Sequence, residues 1–440
     1  MRNKFYIHKA KIREIESDVL GEAVRLSAQV DIITLDGTKT KECYFDFTRE
    51  YKEYLCTEKS DAFVMGLLTA SMENDMDIEF EAPLSERLYY QMTTYYIPLV
   101  SKYNSKYPLH YIDLIGPRSL EIFESKNAVV TGCSGGVDSF YTMMKHSDCD
   151  KKHKITHIVF SSIATIDYLE ERVKNTYREN LNLVKNIAND SNLKLIACYS
   201  NLHEFYKFPY KGFSTFFTTT YTSVGFALQK LISVYYASSG VSLDSFSMDV
   251  VKNKIDCATF DIFTVSCLNN ENVAVYSTGS EANRNEKIEF VSDFDVVKKN
   301  LKVCAVDVLV GTLEGKTNCS KCKKCLRTMF SLYAINRLDE FSKVFDIEFF
   351  KANLARNIGK ILSLDSLEFN KVSLKIAKKN NVKIPKTAFL WYVFIYEPKE
   401  TLRKLLRDSL IARKIYYKFN LDIKMNGYRD ATYENYKDKI

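Results

Sequence analysis

The chain has 440 residues, of which 46% are hydrophobic and 13% are aromatic, with only 15 Gly and 7 Pro. This length and composition exclude a single small domain and a largely disordered protein, and they predict two or three globular domains. The formal net charge of +7 is unevenly placed, because residues 336–440 hold 22 Lys and Arg against 13 Asp and Glu while the rest is near neutral.

The first residues, MRNKFYIHKAKIREIE, mix charged with apolar residues and lack the apolar stretch of a signal peptide. The sequence contains no run of about 18 apolar residues that would predict a membrane-spanning helix. Most of the 11 cysteines stand singly in apolar strings, as expected of buried thiols in a reducing compartment. The sequence therefore predicts a cytoplasmic protein without a membrane partner.

Residues 1–125 are predicted to form an N-terminal α+β domain. Alternating segments such as AVRLSAQVDIITL and ECYFDF surround Asp36 and Gly37, a pair that is typical of a hairpin turn. A helical segment, SDAFVMGLLTASMEND, follows. No catalytic group of residues is recognisable in this region.

Residues 126–336 change to a strand, turn and helix pattern. NAVVTG, KITHIVF and LKLIACYS are predicted strands, and helical segments such as IDYLEERVKNTYRENLNLVKNIAND separate them. This alternation predicts an α/β domain with a doubly wound parallel sheet. In such a sheet a ligand is expected at the carboxyl ends of the strands.

The six residues SGGVDS, which we call the glycine loop, lie between the first of these strands and a helix. They are Ser134, Gly135, Gly136, Val137, Asp138 and Ser139. Glycines let the backbone approach an anion closely, and a helix N-terminus supplies free N–H groups and the positive end of its dipole. The serines add hydroxyl donors, and the aspartate is suited to hold Mg²⁺. A Walker A lysine and a GxGxxG fingerprint are both lacking, which disfavours a kinase or a dehydrogenase.

The glycine loop resembles the SGGxDS loop of the PP-loop ATP pyrophosphatases at every position of that pattern. The resemblance implies a Rossmann-like fold with the pyrophosphate of ATP in this loop. It also implies cleavage between the α- and β-phosphates, which yields a substrate adenylate. Phe160 and Ser161, at the end of the second strand, would by the same resemblance contact the adenine.

The segment YSTGSEANRNEKIEFV follows another predicted strand and is expected at the same rim as the glycine loop. Its Arg284 and Lys287 are candidates for neutralising phosphate or for binding a substrate carboxylate. Together with Asp138 and Ser139 they are the candidate catalytic residues. A solvated helix N-terminus, with Glu281 as an acid of the first turn, is an equally open interpretation of this segment.

Cys319, Cys322 and Cys325 follow one another at CxxCxxC spacing in NCSKCKKCLRTM. Three thiolates so close belong on one metal ion, and Cys304 in LKVCAVD is the nearest upstream candidate for a fourth ligand. The residues between Cys304 and Cys319 are expected to fold back as a loop. Four cysteines favour a structural Zn²⁺ site, whereas three would favour an iron–sulfur cluster used in sulfur transfer. Chance clustering of thiols is the remaining alternative.

A PP-loop followed by a CxxCxxC site is similar to the cyano-deazaguanine synthase family of the queuosine pathway, over about residues 127–335. That family has a further cysteine upstream of the triplet, which implies Cys304 as the fourth ligand. The chain also resembles a group of bacterial PP-loop proteins, mostly of unknown function, over most of its length. CxxCxKCLRTM, DAFVMGLLTASMENDMDIEFEAPLSERL and the string G-x-E-x-x-R-x-x-K, here Gly279 to Lys287, carry this second likeness.

The resemblance to the cyano-deazaguanine synthase family implies an ATP-dependent ligase or synthetase that activates a carboxylate or amide of a small molecule or peptide for attack by a nitrogen nucleophile. One alternative is sulfur transfer to tRNA or another nucleic acid, for which Cys133 and the basic helical region 337–440 are weak signals. Solvated helix faces explain that charge more simply. Another alternative is a non-catalytic nucleotide-binding partner in a multiprotein system. A homo-oligomer or a complex with a partner protein is compatible with the sequence.

Overall fold

The computed structural model describes residues 2–104, 109–164, 170–206, 218–248, 257–304, 316–363, 367–399 and 401. The chain divides into two compact units, Met1–Arg284 and Asn285–Ile440. The sequence predicts three independently folding domains with boundaries at residues 125 and 336, and this division stays a prediction. Within the described ranges, no helix is both long enough and apolar enough to cross a membrane.

The first unit contains one large mixed sheet of 11 strands and a separate pair formed by the two-residue strands β6 and β8. The strands are β1 (Lys4–Ile7), β2 (Lys11–Ser17), β3 (Gly21–Thr34), β4 (Gly37–Thr48), β5 (Asp77–Phe80), β6 (Leu84–Ser85), β7 (Leu114–Ile115), β8 (Arg118–Ser119), β9 (Ala128–Gly132), β10 (His157–Ser161), β11 (Lys194–Ser200), β12 (Ile232–Ser238) and β13 (Ala274–Thr278). The helices are α1 (Asp61–Asn74), α2 (Glu86–Gln91), α3 (Ile97–Tyr103), α4 (Val137–Lys145), α5 (Glu170–Asp190), α6 (Thr218–Ala227) and α7 (Asp261–Ser266).

Five neighbouring strands of the large sheet are parallel and lie in the order β13-β12-β9-β10-β11. Numbered in chain order from β9, these five strands lie side by side in the order 5-4-1-2-3, which is the order of a Rossmann-type sheet. In such a sheet the winding reverses between the first and fourth strands of that numbering, here β9 and β12. This mixed α/β architecture with a mostly parallel sheet confirms that part of the sequence prediction. The reversal is between β9 and β12, and the glycine loop begins at Ser134, two residues after the end of β9.

The N-terminal strands extend the same sheet beyond β11. β4 pairs antiparallel with β11 in a register that places Phe47 opposite Cys198. β3 and β4 form the hairpin predicted around Asp36 and Gly37. Its two-residue loop is Leu35 and Asp36, and Gly37 opens β4 with a φ of 132°. Strands from both sides of residue 125 therefore share one sheet.

Helices cover both faces of the parallel strands. On one face, Tyr177 and Leu181 of α5 pack against Ala197 and Tyr199 of β11, and α4 contacts β9 and β12. On the other face, α1 and α6 pack together over side chains of the opposite orientation, such as Val130. α1 is buried from its first residue to its next-to-last, as expected of a helix that is largely apolar on all sides.

In the second unit, all regular elements among the described residues are helices. The α-helices are α8 (Arg284–Val291), which starts at the last residue of the first unit, α9 (Asp295–Asn300), α10 (Lys323–Ala334), α11 (Ile347–Ala352), α12 (Leu354–Leu362), α13 (Leu367–Lys379) and α14 (Thr387–Trp391). α10 packs on α12 and α13, and α12 packs on α14. The buried side chains of this unit include Phe330, Phe341 and Phe350. Residues 402–440, which carry much of the predicted basic region, lie outside the described residues.

Candidate functional site

The glycine loop is a tight turn from β9 into α4. Gly135 has a φ of 72°, in the left-handed region that favours glycine. Gly136 is the N-cap residue of α4, and no side chain caps the helix there. The first N–H groups of a helix have no partner inside the helix, so this end of α4 can bind an anion.

The two serines of the glycine loop close the turn against the helix. The Ser134 N–H donates to Ser139 Oγ at 3.2 Å, and the two hydroxyl oxygens lie 3.1 Å apart. Ser139 is buried, with 7% of its surface exposed. The hydroxyls therefore lie together at the start of α4, where their protons can turn toward a bound anion.

Asp138, in the first turn of α4, forms an ion pair with Arg284. Arg284 Nη1 lies 2.6 Å from Asp138 Oδ2, and each side chain is a little under one third exposed. The two residues are 146 positions apart, but β9, β12 and β13 are neighbours in the sheet, so their carboxyl ends meet. The segment after β13 thus lies beside the glycine loop, as the strand pattern predicts.

Glu281 joins the same segment to α4 further along the helix. Its Oε1 accepts hydrogen bonds from the Tyr141 hydroxyl at 2.9 Å and from the Lys145 ammonium, and its Oε2 accepts one from the Gly279 N–H at 2.9 Å. Partial burial alone would raise the pKa of Glu281. The hydrogen bonds, chiefly that of Lys145, outweigh this effect and lower the pKa to about 2. Glu281 is therefore a carboxylate that binds α4, and the sequence interpretation as a solvated first-turn acid did not include these partners.

The other predicted site residues lie in less direct positions. Phe160 and Ser161 end β10, the strand next to β9, and both are partly buried. Phe160 stacks on Tyr177 of α5 with ring centroids 5.0 Å apart, so much of its surface belongs to the packing under that helix. Lys287 is buried in α8 and belongs to the second unit.

Cys133, the thiol beside the glycine loop, is buried at the end of β9. Its N–H donates to the Val159 carbonyl at 2.8 Å, and 4% of its surface is exposed. Burial raises the pKa of this thiol to about 12. A thiol in that state is a poor nucleophile at neutral pH.

Four cysteines of the second unit converge on one point, and we call them the cysteine centre. They are Cys304, Cys319, Cys322 and Cys325, whose sulfurs all lie within 4.8 Å of one another. The Sγ atoms of Cys304 and Cys322 are 3.9 Å apart, and those of Cys319 and Cys325 are 3.8 Å apart. Zn–S bonds of about 2.3 Å in a tetrahedral site would separate two sulfurs by about 3.8 Å. The centre can therefore hold a metal ion such as zinc, with Cys304 as the predicted fourth ligand.

The backbone supports the sulfurs of the cysteine centre. Cys319 Sγ accepts the Cys322 N–H at 3.4 Å, and Cys322 Sγ accepts the Cys325 N–H at 3.5 Å and so caps α10. Ser320 between them has a left-handed φ of 57°. A loop is predicted between Cys304 and Cys319, and most of it, residues 305–315, lies outside the described residues.

Asn318 connects the segment that contains Cys304 to the CxxCxxC turn through hydrogen bonds. This fully buried side chain accepts the N–H groups of Val303 and Cys304 at 2.8 and 3.0 Å. Its amide group donates to the carbonyls of Leu301 and Val344 at 2.7 and 3.1 Å. The spacing of the cysteines gave no signal for Asn318, because its partners come from two separate stretches of chain, residues 301–304 and Val344.

The thiols of the cysteine centre compete for protons because they are so close. Hydrogen bonds, first from Cys304, hold the pKa of Cys319 far below its ordinary value and lower that of Cys322 to about 7. The same crowding raises the pKa of Cys304, chiefly through Cys319, and that of Cys325, chiefly through Cys304. Four thiolates at these distances need a cation between them, as a metal ion would provide.

No family model matches this chain, and neither a curated protein nor a solved structure matches it. The case for a function therefore depends on two groups of residues. One is the glycine loop with Arg284 and Glu281 beside it, and the other is the cysteine centre.

Proposed function

We propose that the chain binds ATP at the glycine loop and transfers its adenylyl group to a substrate. The observation that carries this proposal is the position of the loop. It joins the first strand of a Rossmann-type sheet to a helix whose N-terminus has no side-chain cap, at the point where the winding reverses. Ligands of open α/β sheets bind at that point.

The residues around the loop fit a triphosphate. The N–H groups at the start of α4 and the hydroxyls of Ser134 and Ser139 would bind the β- and γ-phosphates. Asp138 would hold the Mg²⁺ ion that accompanies ATP. Because Asp138 is paired with Arg284 in the structure, binding of Mg²⁺ there would free the guanidinium for the phosphates.

The proposed reaction has two steps. A carboxylate or amide oxygen of the substrate attacks the α-phosphorus, the bond from the α-phosphorus to the bridging oxygen of the β-phosphate breaks, and pyrophosphate leaves. A nitrogen nucleophile such as ammonia then attacks the activated carbon, and AMP leaves with the substrate oxygen. The N–H groups of the loop and Arg284 would stabilise the charge that develops on the departing pyrophosphate.

Adenylation followed by attack of nitrogen is preferred to sulfur transfer because of the state of the thiols. Cys133, the cysteine beside the loop, is buried and protonated. The cysteine centre offers four sulfurs to one metal, and a closed four-sulfur site leaves no sulfur or coordination position for a substrate. We therefore propose that the centre holds a structural Zn²⁺ ion and takes no part in the reaction.

Exchange of labelled pyrophosphate into ATP tests the proposed function. The wild-type protein should catalyse exchange when a low-molecular-mass cell extract supplies the acceptor. Asp138→Ala should lose about a hundredfold or more of that activity, since it removes the ligand of the metal that stabilises the transferring phosphates. Asp150→Ala, which changes an exposed aspartate just beyond the other end of α4, is the matched control and should exchange normally.

Full exchange by Asp138→Ala would contradict the role of Asp138. The ATP site as a whole would be contradicted by two results together. The wild type would show no exchange, and calorimetric titration with α,β-methylene ATP would show no heat of binding. If the protein binds the analogue but catalyses no pyrophosphate exchange with any acceptor supplied, the result would favour a non-catalytic nucleotide-binding protein.

A further inference from the structure

The segment from Thr278 to Arg284 is attached to one side of α4 at several heights. Arg284 pairs with Asp138 in the first turn of the helix, and Glu281 binds Tyr141 and Lys145 in the following turns. Positions 138, 141 and 145 share one face of a helix because they are spaced by three and four residues. The segment therefore runs along α4, with Arg284 at the end nearest the glycine loop.

The turn after β13 is shaped for these contacts. Gly279 has a φ of 98°, which favours glycine, and its N–H points to the Glu281 carboxylate at 2.9 Å. Just before it, Thr278 Oγ1 lies 3.1 Å from Nε2 of His146, the residue that follows α4. Glu281 receives hydrogen bonds both from its own turn and from α4. It therefore determines how the turn lies against the helix.

The Asp138–Arg284 ion pair cannot fix the position of Arg284 once ATP is bound. Under the proposed function Asp138 turns to Mg²⁺ and Arg284 to the phosphates, so their mutual bond breaks. A second attachment is then needed to keep the guanidinium beside the loop, because an arginine side chain loses considerable rotamer freedom when it is held in one geometry.

We propose that Glu281 is a positioning residue that holds Arg284 at the glycine loop while Arg284 passes from Asp138 to the phosphates of ATP. This proposal deepens the proposed function and rests on it. Glu281 itself contacts α4 and its own turn. Its effect on ATP therefore acts through the placement of Arg284.

The carboxylate is suited to a permanent attachment. Partial burial would raise the pKa of Glu281, but its hydrogen bonds, from Lys145 first, together outweigh burial and lower the pKa to about 2, so Glu281 is ionised throughout the physiological range. Lys145 and Glu281 are 40% and 45% exposed, so solvent screens their attraction. The hydrogen bonds from Tyr141 and Gly279 supply direction that the ion pair alone would not.

The test measures the accessibility of Arg284 and the affinity for Mg·ATP in Glu281→Gln and Glu281→Ala. Accessibility is measured as the rate at which phenylglyoxal labels Arg284, followed by peptide mass spectrometry, and it does not depend on activity. Both variants should label faster than the wild type and bind Mg·ATP about threefold to tenfold more weakly, the loss expected for a partly exposed charged hydrogen bond. Glu281→Gln should show the smaller effects because its amide oxygen can still accept a hydrogen bond.

Glu58→Gln is the matched control. Glu58 also pairs with a lysine, Lys230, at 2.6 Å and is 42% exposed, but it lies outside the segment that carries Arg284. It should leave both readouts at wild-type values. Folding of every variant is checked by circular dichroism and thermal melting, and Tyr141→Phe, which removes a single hydrogen bond, should give a weaker change in the same direction.

Unchanged labelling of Arg284 in both folded Glu281 variants would overturn the proposal. If the wild type failed to bind Mg·ATP, the proposed function would fail, and the labelling would still decide whether Glu281 places Arg284. Faster labelling with unchanged Mg·ATP affinity would also overturn the proposal, because the placement of Arg284 would then not contribute to the binding of Mg·ATP.

Discussion

At the scale of single residues, His8 shows how one protonation state links three strands of the first unit. Its Nε2 lies 2.8 Å from Asp31 Oδ2, and its Nδ1 lies 3.0 Å from Glu81 Oε1. His8 follows β1, Asp31 belongs to β3 and Glu81 follows β5, the two neighbours of β1. The hydrogen bond with Asp31, opposed by partial burial and aided by Glu81, raises the pKa of His8 above its ordinary value.

The raised pKa predicts the sign of a pH dependence. Stabilisation by a group of this kind is complete below its unfolded-state pKa of about 6.5 and is lost as the pH rises through the folded-state pKa. His8→Gln should therefore lower the free energy of unfolding more at about pH 6 than at about pH 9. The His8 side chain is 37% exposed and that of Asp31 is 21% exposed, so solvent screens the pair and the difference should stay under about 1 kcal/mol.

Urea unfolding followed by far-ultraviolet circular dichroism at both pH values measures this difference. In an Asp31→Asn background the effect of His8→Gln should shrink and lose much of its pH dependence, because the main partner is gone. An effect of His8→Gln that grows with pH would show that the imidazolium does not stabilise these strands.

At the scale of elements, the turn that carries the cysteine centre depends on Asn318. Asn318→Ala would leave the N–H groups of Val303 and Cys304 without their acceptor inside the protein, and each unsatisfied buried group costs about 1–3 kcal/mol. Since residues that orient metal ligands typically contribute about 10- to 100-fold to metal affinity, Asn318→Ala should weaken Zn²⁺ binding by that amount. Competition with a zinc-binding dye measures the affinity.

Asn357→Ala is the control for this prediction. Asn357 is also buried in the second unit and donates to the Phe350 carbonyl at 3.3 Å, but it has no bond to the chain around Cys304 among the hydrogen bonds described. It should destabilise the helices and leave Zn²⁺ affinity near the wild-type value. Equal affinities for Asn318→Ala and wild type would mean that the sulfurs hold their positions without Asn318.

At the scale of the whole molecule, the fold could be predicted where the signals are local. The alternation of apolar strands with amphipathic helices was sufficient for β9, β10 and β11, and Asp36 with Gly37 was sufficient for the β3–β4 hairpin. The pairing of β4 with β11 could not be predicted, because it joins Phe47 to Cys198 and leaves no mark in either segment alone. A sheet edge gains a partner through long-range packing, and sequence periodicity does not identify that partner.

The same difference applies to the sites. SGGVDS and CxxCxxC are short local patterns of residue type and spacing, so the glycine loop and three of the cysteines could be singled out as candidate sites. Cys304 could be suggested because it lies only 15 positions before Cys319. The bonds from Glu281 to Tyr141 and Lys145 span 140 and 136 positions, and only the strand order that brings β13 near β9 brings these residues together.

The cysteine centre also bears on how the two units respond to metal removal. All four cysteines belong to the second unit, and they connect the chain at Cys304 to the start of α10. Metal binding to such a centre is coupled to folding, because the unfolded chain has no preformed site. Trp391, the single tryptophan of the chain, lies in α14 of the same unit. Its fluorescence therefore reports on the second unit.

Protein purified under reducing conditions should contain about one zinc per chain and have no visible absorption, as a closed four-cysteine site requires. Removal of the metal with a strong chelator should shift Trp391 emission to longer wavelength as the second unit loosens, and Zn²⁺ should reverse the shift. Cys319→Ala should behave like the chelated protein, whereas Cys149→Ser, which changes a partly exposed cysteine of the first unit, should behave like wild type. A brown protein with labile iron would replace zinc by an iron–sulfur cluster. An unchanged emission after complete metal loss would show that helices α10 to α14 pack without the metal, and the cysteine centre would then have to serve something other than stability.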